Sequence, residues 1–188
     1  QSKRVGAGWS APAMAPFAGE LMPRQILGVT GPNGVGKTTL LSALSGRAPV
    51  FSGGLNLRPG LRLAVQTQEV PPVAGVPLTG RELLALTGAS QEGLPPWLLE
   101  RLDVRLDRLS GGQRHYLALW AVLGAPADLL LLDEPTNNLD AAGVAHLGQA
   151  LRALAERGAG IVVVSHDHDF VDAVSDHVVS LKGLDDGQ

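Results

Sequence analysis

Short apolar runs recur along the chain, each ending at a polar or glycine-rich turn. Ile26-Leu-Gly-Val29, Leu129-Leu-Leu-Leu132, Ile161-Val-Val-Val164 and Val178–Leu181 present apolar side chains to both faces. Runs of this length, bounded by turn residues, are predicted to be strands of a parallel sheet covered on both sides. Helical spacing fills the intervals. Leu40, Leu41 and Leu44 share one side of Thr39–Leu44, and Leu117, Trp120, Ala121 and Gly124 fall at i, i+3, i+4 and i+7. Ala141–Arg157 reads as a helix capped by Asp140 and ended by Gly158, with Val144, Leu147, Leu151 and Leu154 inward. A further helix is predicted near 168–174. Alternating strands and helices imply a mostly parallel α/β core with right-handed crossovers.

Two stretches break this alternation. Residues 50–69 carry Gly-Gly and Pro-Gly turns between short apolar runs and are predicted to be hairpin strands. With 1–30 they would form a small antiparallel β subdomain. The proline-rich linker from Val70 to Leu78 leads to two short helices, Arg81–Leu86 and Pro96–Leu102, so 70–108 is expected to be a small helical subdomain. Residues 31–49 and 109–188 would be the catalytic core of one domain spanning 1–188.

Chemistry enters at the end of the first strand. Gly31, Pro32, Asn33, Gly34, Val35, Gly36, Lys37, Thr38 and Thr39 fit the phosphate-binding pattern G-x-x-x-x-G-K-[ST], between a predicted strand and a predicted helix. Successive backbone N–H groups there can form an anion nest, and the helix adds the positive end of its dipole. Lys37 supplies charge for the β- and γ-phosphates, and Thr38 a hydroxyl for Mg²⁺. The four-leucine strand ends in Asp133-Glu134. Ligands of parallel sheets lie beyond the carboxyl ends of the strands, which places Asp133 beside the phosphate loop as a second Mg²⁺ group. Glu134, one step on, can polarise an attacking water.

Between these motifs lies Leu109-Ser110-Gly111-Gly112-Gln113, which a generic phosphate-loop protein has no reason to carry. The sequence resembles the nucleotide-binding domain of the ATP-binding cassette (ABC) family, whose signature is L-S-G-G-Q. The resemblance runs from about Gly19 to Leu181. It makes Gln68 the Q-loop glutamine, a Mg²⁺ and water ligand; Gln66 would point the same way, but only Gln68 is followed by an acid, Glu69. It makes Asn138-Leu139-Asp140 the D-loop and His166 the switch histidine that reaches the γ-phosphate. It also implies that two cassettes pair head to tail, with Ser110, Gly111, Gly112 and Gln113 of one closing over ATP held by the other. Trp9 is the candidate for stacking on adenine, ahead of Phe17, while Trp97 and Trp120 read as core. The implied activity is ATP hydrolysis with Mg²⁺.

Within that family, Glu134-Pro-Thr-Asn137-Asn138-Leu-Asp140 and Ser165-His-Asp-His-Asp-Phe170 are close to the soluble ABC-F type, which carries two cassettes and acts on ribosomes. Asn138 and His168 depart from its usual His and Arg. The alternatives are the ATPase subunit of a membrane transporter, with a permease as partner, and an ATP-binding scaffold without hydrolysis. Gln1 in place of Met suggests a processed or excised piece.

Composition narrows the picture modestly. The absence of cysteine excludes disulfides and thiolate metal sites. His166-Asp-His168-Asp169 lacks a distant third ligand and reads poorly as a metal site; His168 is expected at the surface, and His115, His146 and His177 as ordinary helix or surface residues. The 15 basic and 18 acidic residues give a net charge of −3, without a basic cluster that would grip nucleic acid. No apolar run is long enough to span a bilayer, so direct membrane insertion is not expected and a cytoplasmic location is.

Overall fold

The computed structural model describes residues 20–50, 54–67 and 77–182. Five strands form one sheet: β1 (Ile26–Thr30), β2 (Leu63–Gln66), β3 (Leu129–Asp133), β4 (Gly160–Val164) and β5 (His177–Ser180). Their order is β2-β3-β4-β1-β5, and every pairing is parallel. Asp133 lies opposite Val164, and Val164 opposite Val29, so β3, β4 and β1 end level with one another. That alignment brings loops far apart in sequence to one edge of the sheet.

The helices explain why β1, β3 and β4 carry apolar side chains on both faces. Among the described residues six α-helices are present: α1 (Lys37–Leu44), α2 (Gly80–Thr87), α3 (Pro96–Leu99), α4 (Gly111–Leu123), α5 (Ala141–Glu156) and α6 (His168–Val174). On one face Leu130, Leu132, Ile161 and Val163 pack with residues of α4, α5 and α6. On the other, Leu129, Leu131, Val162 and Val164 pack with Leu40 and Leu41 of α1. Both sides are therefore dry, and alternation has no reason to appear. The edge strand β5 is the exception, with Val178 exposed.

Between β2 and α4 the chain forms a small helical lobe. Thr79 caps α2 in a reciprocal box with Glu82. Backbone bonds Arg81 N to Leu102 O and Leu106 N to Leu78 O close the lobe on itself. α2 packs against α4, with Leu117 pressed so close to Gly80 that a Cβ there would meet it at 2.7 Å.

Two expectations differ from the structure. Residues 50–69 do not form a hairpin among the described residues; β2 joins the core sheet in parallel beside β3. Arg62 explains the pairing: its backbone N–H and its guanidinium both donate to Asp128, and its carbonyl accepts from Leu129, which pins the start of β2 to the start of β3. The antiparallel β subdomain therefore has no strand pair among the described residues, and residues 1–19 lie outside them. Trp97, expected in the core, is 39% exposed because α3 is a single turn at the rim of the lobe; Trp120 is buried.

Candidate active site

β1 delivers the chain into the phosphate loop at its carboxyl end. Gly31, Gly34 and Gly36 adopt φ of 147°, 79° and 104°, values that favour glycine. Gly31 has a second reason: a Cβ would lie 2.8 Å from the Leu181 carbonyl oxygen. Val35 turns its side chain into the core, so it offers the site only its backbone. Gly36 caps α1 without a side-chain acceptor, leaving the first helical N–H groups unengaged by any side chain. Pro32, Asn33, Thr38 and Thr39 are exposed around them. Lys37 is buried, and its Nζ donates to the carbonyls of Gly31 at 2.7 Å and Pro32 at 3.1 Å. The loop thus wraps the ammonium group at its own mouth.

β3 brings the acids. Thr38 Oγ1 donates to Asp133 Oδ2 at 3.0 Å, joining residues far apart in sequence. Burial raises the Asp133 carboxyl above its ordinary value, and the neighbouring Glu134 charge adds to this; the Thr38 hydroxyl and Lys37 oppose it. A carboxylate held there gains from a nearby cation. Hydroxyl and carboxylate are hard oxygen ligands of the kind Mg²⁺ takes, so the pair fits that ion. The Asp133 backbone N–H is held by Gln66 Oε1 at 3.1 Å, and Gln66 Nε2 donates to Thr67 O.

Glu134 sits in the left-handed region at φ 51°, unusual for a glutamate. The backbone there turns sharply out of β3, with Glu134 N–H bonded to Val164 O at 2.7 Å. Its side chain is buried and its Oε2 receives three donors: Ser165 Oγ at 3.0 Å, His166 N at 3.2 Å and His166 Nδ1 at 2.8 Å. An ionised carboxylate only accepts, so Nδ1 is the donor in that contact. The His166 ring is 64% exposed and faces outward from this anchor.

The signature and D-loop residues occupy a different part of the molecule. Ser110 caps α4: its Oγ accepts from Gln113 N at 3.2 Å, while Gln113 Oε1 accepts from Ser110 N at 3.1 Å. Both side chains are thereby used within one turn. Gly111 faces open space, and a Cβ on Gly112 would lie 3.6 Å from the Asn138 carbonyl. A cavity of about 360 Å³ is lined by Gly111, Gly112, Arg114, His115 and Asn138, with no residue of the phosphate loop. Asp140 Oδ1 accepts from Gly143 N at 2.8 Å and caps α5. His168 is exposed at the start of α6.

Gln68, Trp9 and Phe17 lie outside the described residues. Two residues absent from the sequence-based site are Ser165, fully buried against Glu134, and Gln66, which fastens Asp133. Ser165 is a polar residue closing an apolar strand just before His166, which is a signal. Gln66 carries no such signal, because its partner is set by the pairing of β2 with β3.

Known proteins resemble the chain throughout. The family model described as ABC transporter matches residues 15–73, and one described as AAA domain, putative AbiEii toxin, Type IV TA system matches 99–172. The zinc import ATP-binding protein ZnuC of Cereibacter sphaeroides is 39% identical over 167 residues, covering 85% of this chain and 69% of that protein. ZnuC of Paracoccus denitrificans is 36% identical over 187 residues, covering 95% of this chain and 73% of that protein. Among solved structures, the archaeal ribosome recycling factor aABCE1, in complex with the ribosomal stalk protein aP1, superposes with a TM-score of 0.76 at 28% identity; the match covers 96% of this chain but 39% of that one. With relatives this similar along most of its length, and a parallel sheet that carries the phosphate loop and the acid pair at one edge, the chain belongs to the ATP-binding cassette family of ATPases.

Proposed function

We propose that this chain is the ATPase subunit of a membrane transporter, working as a head-to-tail pair with a second cassette and driving a permease. The observation that carries the catalytic part is the triple anchoring of Glu134 Oε2 by Ser165 and His166. A carboxylate fixed in this way is oriented before substrate arrives, which suits a base and ill suits a scaffold that only binds ATP. Lys37 and the amides of 31–39 hold the phosphates of ATP. Thr38 and Asp133 would hold Mg²⁺, with Gln68 as a further ligand; the ion, when bound, neutralises charge on the phosphoryl oxygens. Glu134 receives a proton from the attacking water. His166, held through Nδ1, presents its outer face toward the γ-phosphate. Trp9 is the proposed adenine platform. Ser110, Gly111, Gly112 and Gln113, with Asp140 next to them, serve the ATP held by the partner cassette, because a helix N-terminus attracts phosphate oxygens.

The cellular role follows the relatives. Relatives that match most of the chain are named for zinc import, so the proposed cargo is a divalent metal ion and the proposed partner a permease. Association with the membrane would come through that permease, with the cassette on the cytoplasmic side; among the described residues no helix is long and apolar enough to cross a bilayer. The two-cassette, ribosome-acting reading keeps the motif Glu134–Asp140 and the likeness to the recycling factor in its favour, but the zinc import ATP-binding proteins that match most of the chain favour the transporter. Glu134→Gln tests the catalytic reading: ATP still binds while kcat falls about a thousandfold, the scale of a lost general base. Turnover at the normal rate would remove that role from Glu134. Copurification with a permease, set against copurification with ribosomes, separates the two cellular readings.

A further inference from the structure

α4 and α5 each begin at a loop assigned to the partner's nucleotide, Ser110–Gln113 for α4 and Asn138–Asp140 for α5. Something must hold the two helices at a fixed spacing. Tyr116, on α4, is completely buried beneath that junction. Its ring lies edge-on to Trp97 of the helical lobe at 5.4 Å and touches the first turn of α5, where a Cβ on Gly143 would sit 3.8 Å from it. Its hydroxyl is bonded to His146 Nδ1 on α5. One side chain therefore joins three elements: the signature helix, the D-loop helix and the helical lobe.

The chemistry of the pair is consistent with a fixed orientation. Burial pushes the Tyr116 phenol above its ordinary value, so it keeps its proton and donates. Burial pushes His146 below its ordinary value, so Nδ1 stays free to accept. Neither side chain belongs to the phosphate loop or to the acid pair.

We propose that His146 is a positioning residue for ATP turnover, setting the spacing of the signature turn against the D-loop through Tyr116, whose ring ties both to the helical lobe at Trp97. The inference rests on the reading in which the signature turn meets the partner's ATP. Loss of the bridge would leave ATP binding by one cassette intact and misplace the half-site it offers to the other.

Steady-state ATP turnover by Tyr116→Phe, His146→Ala, the double variant and His146→Asn tests this. Tyr116→Phe and His146→Ala are each expected to lower kcat about fivefold, the size of one ordinary hydrogen bond, with KM for ATP unchanged. The double variant should be no slower than His146→Ala alone, since both remove the same bond. His146→Asn, which keeps an acceptor near the Nδ1 position, should restore most of the rate. Unchanged kcat in both single variants, a rise in KM matching the loss, or losses that multiply in the double variant would overturn the inference. Tyr116→Phe removes only a hydroxyl, so it reports even if His146→Ala melts early. Gly111→Asp separates the two layers of argument. Turnover that survives Gly111→Asp removes the signature reading and the inference with it. Turnover lost in Gly111→Asp but intact in Tyr116→Phe and His146→Ala removes the inference alone.

Discussion

The phosphate-loop side and the signature side of this domain are built on opposite plans. On the first, side chains from distant segments meet: Thr38 with Asp133, Gln66 with the backbone of Asp133, Ser165 and His166 with Glu134. On the second, polar side chains satisfy their own helix within three residues: Ser110 with Gln113, Asp140 with Gly143. The first is a constellation assembled by the tertiary fold. The second is a pair of capped helix ends with Gly111 open beside a cavity. A side whose capping side chains are spoken for locally has little to organise on its own, and this suits a surface completed by another molecule.

The sharpest break in that comparison comes from Lys37. Lys37→Ala should remove the cation from the loop mouth and lower kcat on the order of a thousandfold, with ATP binding weakened in a direct titration of the dilute chain. Gly111→Asp should leave the melting temperature and that titration unchanged, because nothing lies within 4 Å of the added Cβ. Turnover should nevertheless drop about a hundredfold at concentrations that pair the cassettes, since a carboxylate would face the partner's phosphates. If ATP binding to the dilute chain also fell, the two sides would not be separate half-sites. Gly31→Ala probes the fold beneath the first side: the new methyl would meet the Leu181 carbonyl at a φ that disfavours alanine, and thermal melts should show a loss of about 2 kcal/mol. The smallest effect lies away from both sides. Hydrogen bonds from Arg62 hold Asp128 down to about 2, against an unfolded value near ~3.9. A depressed carboxyl contributes stability above its unfolded value and loses it as pH falls through the folded one. The melting temperature should therefore decline between roughly pH 4 and 2, and Asp128→Asn should flatten part of that slope.

The same contrast explains what could be read in advance. Gly31–Thr39 and Ser110–Gln113 are legible because their geometry is local: glycine φ values, a helix start and a capping pattern are encoded within a few residues. The parallel sheet was legible from doubly apolar strands. Ser165 and Gln66 were not, because their partners are set by which residue of β3 faces which residue of β2 and β4. Pro59-Gly60 is an honest turn signal, yet a turn does not say which strand is next door. That information lies in Arg62 and Asp128, an ion pair with no local trace. Trp97 looked like core because it is large and apolar, but a single-turn helix at a lobe's rim can cover only part of an indole.

Leu181 links the last strand to the first loop. Its N–H bonds to Thr30 O, its side chain is buried, and its carbonyl lies where a Cβ on Gly31 would need to be. The glycine loop proposed to hold the triphosphate therefore rests on a floor laid at the end of the last strand. Shortening the protein to a point ahead of Leu181 would leave every motif intact in sequence and still let the nest sag.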